Sequence, residues 1–180
     1  RPVPSPPMTE DPGAQVRESL DAAGVDYEVM DCDPALADTA AFCEHYSVPV
    51  EQSANTILVA GKPRGGGDKT YVACVVLAHT RLDVNGAVRR RLDVKKASFA
   101  SADETRELTG MLIGGVTAAA LPDGMSLWVD ARVMDTEWVV LGGGDRSTKI
   151  KAAPSVLTAL GADVVTDLAT LPAPDPTSGG

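Results

Sequence analysis

The chain has 180 residues, 44% of them hydrophobic and 23% charged, enough for one folded domain with a sizeable core. A formal net charge of −9 repels polyanions, so any nucleic-acid contact has to be local, and 4% aromatic content leaves too few rings for a general single-strand binder. No apolar run reaches the roughly 18–20 residues that cross a bilayer and no signal peptide opens the chain, so it reads as soluble and cytoplasmic.

Cys32, Cys43 and Cys74 lie far apart in apolar or mixed sequence, the pattern of reduced buried thiols. His45 and His79 share no ligand spacing with each other or with a cysteine pair, so neither metal nor cofactor is expected. The proline-rich opening, residues 1–12, and the tail, residues 172–180, have little to bury and read as disordered. Met8 reads as the natural start, and the folded unit as residues 13–171.

Within that unit, Val16, Leu20 and Ala23 fall at helical spacing and the helix stops at Gly24. A strand follows in "VDYEVM". Asp38–Tyr46 is expected as a second helix, ended before Pro49. "NTILVA" and "TYVACVVLA" are β-branched runs joined by "GKPRGGGDK", a long hairpin whose loop is expected to be mobile. "NGAVRRRLD" reads as a short helix and "KASFA" as a strand. Ser101 with Glu104 three residues later forms a capping-box signal for the next helix. Strands are expected at "SLWVD", "EWVVLG" and "STKIKA", then a helix with Pro154 at its first position and Gly161 at its end, and a last strand "DVVTDL". Irregular alternation of many short strands with helices predicts one α+β domain, a mixed curved sheet with helices packed around it.

Two glycine-rich stretches invite a phosphate-loop reading. A P-loop needs G-x-x-x-x-G-K-[ST] leading into a helix, so that backbone amides and the helix dipole meet the phosphates. "GGGDRSTK" has Ser147 and Thr148 where glycine and lysine belong, and "GKPRGGGDKT" misses the spacing too. Both run into strand sequence. Gly142–Gly144 therefore read either as a turn between strands or as a place where a ligand approaches bare backbone.

Together, "NTILVA", "VVLAHTRLDV", "KKASFASADETRELTGMLIGGVTAAALP", "LWVD" and "VVLGGGDRSTKIKAAPSVL" resemble the YbaK/prolyl-tRNA synthetase-associated domain family, also called YbaK/EbsC, from about Val25 to Leu168. The resemblance implies a barrel-like sheet, no metal, and an editing deacylase that hydrolyses the ester of mischarged tRNA, tRNA(Pro) in particular. It places Thr109, Gly110, Gly114, Gly115, Val116 and Thr117 at the pocket, with Asp130 after a strand and Gly144, Asp145 and Arg146 in a turn. Thr56 joins the substrate-binding set, and amides near Gly114–Gly115 and Gly143–Gly144 are candidate oxyanion donors. Two positions depart from the family pattern: Asn55 stands where a lysine is common, and Ala118 where proline is expected. Asparagine offers a neutral donor and acceptor of shorter reach and no general base. Two readings follow. One is a freestanding editing hydrolase; the other is a non-catalytic module that keeps the fold and binds a small ligand or a tRNA end.

Arg89, Arg90, Arg91, Lys95 and Lys96 form the one dense basic run, read either as a solvated surface or as a docking patch for the tRNA acceptor end. Prolyl-tRNA synthetase is a further partner that the resemblance implies. Asp103 and Glu104 are explained by capping. Trp128 and Trp138 are expected to pack in or beside the core.

Overall fold

The structure is a computed structural model and describes residues 11–172. The segments 1–10 and 173–180, which composition assigns to disorder, lie outside the described residues. Helix α1 (Pro12–Ala22) starts inside the expected N-terminal tail: Asp11 accepts the Gly13 amide at 3.0 Å, and Pro12 fills a first-turn position where no N–H is needed. It buries Val16 and Leu20 and stops before Gly24, whose φ is +70°.

The expected elements follow in the expected order, several with shorter bounds, the strand at "NTILVA" longer and the one at "SLWVD" unchanged. After α1 the chain forms β1 (Glu28–Asp31), α2 (Thr39–Tyr46), β2 (Ala54–Lys62), β3 (Thr70–Leu77), β4 (Arg81–Leu82) and α3 (Arg89–Leu92), the last preceded by one π-helical turn. Then come β5 (Lys96–Phe99), α4 (Ala102–Thr109), β6 (Ser126–Asp130), α5 (Ala131–Met134), β7 (Val139–Gly142) and β8 (Thr148–Ala152). The chain closes with α6 (Ser155–Ala159), β9 (Asp163–Val165) and β10 (Ala169–Thr170). Pro154 stands one place earlier than expected, at the N-cap of α6. The two-residue strands and α5 carry too few residues to show a period, which is why pattern reading passes over them.

The expected class, α+β with a mixed sheet, is what the chain adopts, but the sheet does not close into a barrel. A five-stranded sheet runs β5-β2-β3-β6-β9, antiparallel except for the β3–β6 and β6–β9 pairs. A separate antiparallel ladder runs β1-β8-β7, and β4 pairs with β10. The hairpin "GKPRGGGDK" closes as expected, with Gly61 opposite Thr70.

Alternate residues of β2, β3 and β6 feed two cores, as period-2 sequence requires. Leu58, Val75 and Val129 pack with α1, β8 and α6 through Val16, Ile150 and Leu157. Val59, Val76 and Trp128 pack on the other side with Val88 and Leu168. A third cluster, Ala37, Phe42, Cys43 and Val48 with Cys32 and Val140, seats α2 on the three-stranded ladder. All three cysteines are free and buried.

Candidate functional site

Ser53 and Val140 are joined by one isolated parallel bridge, while β2 goes on to pair with β3 and β7 with β8. Where the two ladders part, a cavity of about 290 Å³ opens. The entry to β2 (residues 53–57) forms one wall and Asp38 and Thr39 at the start of α2 another; Ile113, Gly114 and Val116, with Val140, Leu141, Gly142 and Lys149, complete it.

Asn55 and Thr56 both border the cavity. The Asn55 side-chain oxygen accepts the Thr39 hydroxyl at 2.6 Å, which ties β2 to α2. The Thr56 hydroxyl is buried and has no partner among the described residues.

The glycines press two turns together. Leu112 donates its amide to Gly144 O at 3.1 Å, and Gly144 donates to Gly115 O at 2.6 Å. A Cβ on Gly115 would collide with the Asp145 carbonyl oxygen, and one on Gly142 with the carbonyl of Val116. Gly144 has a φ of +95° and sits against the Pro12 carbonyl, so both conformation and space require glycine there. Gly142 borders the cavity; Gly143 and Gly144 are not among its lining residues. The stretch that looked like a phosphate loop is thus a strand-to-strand turn, with bare backbone packed on the 112–116 turn.

Arg146 clamps this assembly. Its Nε donates to Pro34 O at 3.0 Å, and its Nη1 donates to Ile113 O at 2.6 Å and Asp38 at 3.2 Å. Asp130, 1% exposed, caps α5 by accepting the Arg132 amide at 2.9 Å and also accepts the Ala169 amide at 2.6 Å. Thr109 Oγ1 donates to Thr105 O at 2.7 Å and accepts the Met111 amide at 3.1 Å, which ends α4. Thr117 is buried, its amide against the Met111 sulfur at 3.4 Å. Of the expected site residues, Asn55, Thr56, Gly114 and Val116 meet at the cavity, Gly115 and Arg146 brace it, and Thr109, Gly110, Thr117, Asp130, Gly143 and Gly144 do not line it.

Sequence reading missed Lys149. It is 6% exposed and borders the cavity, with Nζ donating to Ala37 O and Gly114 O at 2.6 Å each and standing 5.3 Å from the Phe42 ring centre. Burial pulls its pKa below the usual lysine value; Arg146 adds to this, while Cys32, Asp38 and Cys43 oppose it. Among the described residues no carboxylate lies within 4.0 Å of it. Alternation with inward Ile150 would send Lys149 to solvent, and no local signal says otherwise, because α2 covers that face of β8. Among the described residues no three His, Cys, Asp or Glu side chains are grouped to hold a metal ion, and no helix is long and apolar enough to cross a membrane.

A mixed sheet with this cleft, bounded by the start of β2 and two interlocked glycine turns, has the outline of the YbaK-type fold. The family described as the aminoacyl-tRNA editing domain matches residues 33–160, and the chain belongs to that family. The chain is similar to a protein described as a candidate trans-editing enzyme for prolyl-tRNA synthetase, at 23% identity and TM-score 0.74, over 92% of this chain and 98% of that one. It is also similar to the hypothetical protein APE2540, at 26% identity and TM-score 0.75, over 86% of this chain and 99% of that one. A scaffold protein bearing a computationally grafted epitope shares the fold at 19% identity and TM-score 0.75, over 89% and 98% of the two chains.

Proposed function

We propose that the protein is a freestanding editing hydrolase, with residues 13–171 as the editing unit, that cleaves the ester of a mischarged tRNA of the tRNA(Pro) type in the cytoplasm. The observation that carries this reading is the cavity at Asn55, Thr56 and Gly114, formed by the segments that carry the family motifs. Its size suits one small aminoacyl group. An aminoacyl ester is already labile, so hydrolysis needs mainly a placed water, stabilisation of charge on the carbonyl oxygen, and a wall that excludes the cognate side chain. Gly114 and Gly115, Thr56 and the more distant Thr109, Thr117, Asp130, Gly143, Gly144 and Arg146 form the working set, partly as lining and partly as bracing. The tRNA end is drawn in locally by Arg89, Arg90, Arg91, Lys95 and Lys96, and prolyl-tRNA synthetase is the synthetase whose errors the protein corrects.

The second reading, a non-catalytic module that binds a small ligand or a tRNA end, is favoured by one observation: Asn55, where a lysine is common, is engaged with Thr39. A deacylation assay separates the two. Wild type and Asn55→Lys are each incubated with tRNA(Pro) charged with alanine or cysteine and with a panel of other mischarged tRNAs. The expected result is ester loss well above the spontaneous rate for wild type. Spontaneous rates for both folded proteins would sink the hydrolase reading, and activity in Asn55→Lys alone would favour the binding module.

A further inference from the structure

Of the four candidate amide donors, Gly114, Gly115, Gly143 and Gly144, two are already engaged. Gly115 N–H donates to Leu112 O at 2.8 Å and Gly144 N–H donates to Gly115 O at 2.6 Å. Lys149 is in a different position. An ammonium has three N–H donors, and two of these reach Ala37 O and Gly114 O, so a third remains among the described residues. The residue borders the cavity, and among the described residues no carboxylate balances it within 4.0 Å. Thr56, on another wall of the same cavity, has a buried hydroxyl without a partner among the described residues. A fixed, desolvated charge of this kind acts most strongly on negative charge that develops beside it.

We infer that Lys149 is the charge-stabilising residue of this pocket: its third N–H receives the carbonyl oxygen of the aminoacyl ester and holds the negative charge that forms there. The inference rests on the hydrolase reading above. It moves the pocket's cation from position 55 on β2 to position 149 on β8. In the step it serves, the oxygen of water bonds to the ester carbon and the C=O π pair moves onto the oxygen facing Lys149. When that pair returns, the bond to the ribose oxygen breaks with its electrons, and the ribose oxygen takes up the proton that water gave. The products are the free amino acid and an uncharged tRNA end, and Lys149 leaves the step as it entered.

The substrate's other anionic oxygen is the phosphate of its terminal linkage. A phosphodiester carries two ester arms and a hydration shell, all of which would have to be buried to reach a side chain only 6% exposed beside the Phe42 ring. A carbonyl on a single acyl arm meets no such obstacle. The α-ammonium of the same ester is repelled by Lys149, which leaves the carbonyl as the end that faces it.

The test compares wild type with Lys149→Met and with Lys149→Gln, which keeps N–H donors for the two carbonyls and lacks the charge. Substrates are a mischarged tRNA and the matching aminoacyl-adenosine, which has no phosphate; thermal melts establish folding, and Lys149→Gln decides if Lys149→Met does not fold. The expected result is a fall in kcat of about a hundredfold or more on both substrates, with KM within about threefold, and partial rescue of a third variant, Lys149→Ala, by added propylammonium, which replaces the deleted ammonium arm. A rise in KM confined to the tRNA, with kcat kept, would make Lys149 a phosphate anchor and overturn the inference. So would unchanged kinetics, which would leave the hydrolase reading standing. If wild type hydrolyses neither substrate, the hydrolase reading fails on its own, and binding of an adenosine α-aminophosphonate ester, a stable tetrahedral anion, judges Lys149. Binding at least about tenfold weaker in the variants sustains the charge role, and equal binding overturns it.

Discussion

Gly115 sets the tolerance of the site. A methyl group there meets the carbonyl oxygen and amide nitrogen of Asp145, and backbone pinned by hydrogen bonds cannot yield as a side chain can. Gly115→Ala is expected to cost about 1–3 kcal/mol, the range of overpacked interiors, and to loosen the 112–116 turn that carries Gly114. Chemical denaturation checks the first expectation. A deacylation rate that falls by more than the folded fraction checks the second. Full stability in Gly115→Ala would mean that the two turns are not in rigid contact. At the same scale, Asn55 and Lys149 divide what one lysine could do: the neutral amide ties β2 to α2 through Thr39, and the ammonium supplies the charge.

Helix α4 shows how local chemistry and long-range contacts combine in one element. Ser101 accepts the Glu104 amide at 3.0 Å and Glu104 accepts the Ser101 amide at 3.2 Å, the capping box legible from spacing alone. The same carboxylate accepts the Tyr71 hydroxyl at 2.5 Å and lies 3.4 Å from Lys69, so it also pins α4 to β3. The Tyr71 bond, followed by the Ser101 amide, lowers the Glu104 pKa from 4.5 to about 2. A carboxylate whose folded pKa is depressed adds stability above its unfolded value and loses that contribution as pH falls through the folded one. Glu104→Gln should therefore melt below wild type near pH 6, and the gap should narrow below pH 4.5 and close around pH 2. A gap that stays constant between pH 6 and pH 2 would show that the carboxylate's charge is not what binds helix to strand.

Across the whole molecule, a net charge of −9 means that nucleic acid can be held only where the basic side chains cluster. Arg89, Arg90, Lys95 and Lys96 are exposed, on α3 and at the edge strand β5. Arg91, also exposed, lies 5.0 Å over the Trp128 ring and 3.9 Å from Asp163, so part of this run has a structural use. If the patch receives phosphates, Arg90→Gln with Arg91→Gln lowers the slope of log affinity against log salt by about 2, with aminoacyl-adenosine hydrolysis unchanged. An unchanged slope for mischarged tRNA would identify the run as ordinary solvated surface.

Features that depend on neighbours along the chain are legible in the residue order alone. The α1 stop at Gly24, the capping box of α4, the β2–β3 hairpin and the buried thiols follow from periodicity, caps and turn chemistry, all of which act within a few residues. The motif order also carried the family. Other features depend on which surfaces meet once the chain is folded. The sheet stays open because β2 and β7 lie side by side without a hydrogen-bonded ladder among the described residues, the bridge between Ser53 and Val140 standing alone at their seam, and no residue pattern announces a missing ladder. Asp130 and Thr109, whose hydrogen-bonding groups suit a site, are engaged in capping α5 and ending α4. Lys149 sits in an alternating strand where it should face water, and the packing of Phe42 and its helix over β8 makes it the buried cation of the cavity. Local pattern assigns a side chain to one face of a strand; what covers that face is fixed by contacts more than a hundred residues apart in sequence, such as Lys149 with Ala37.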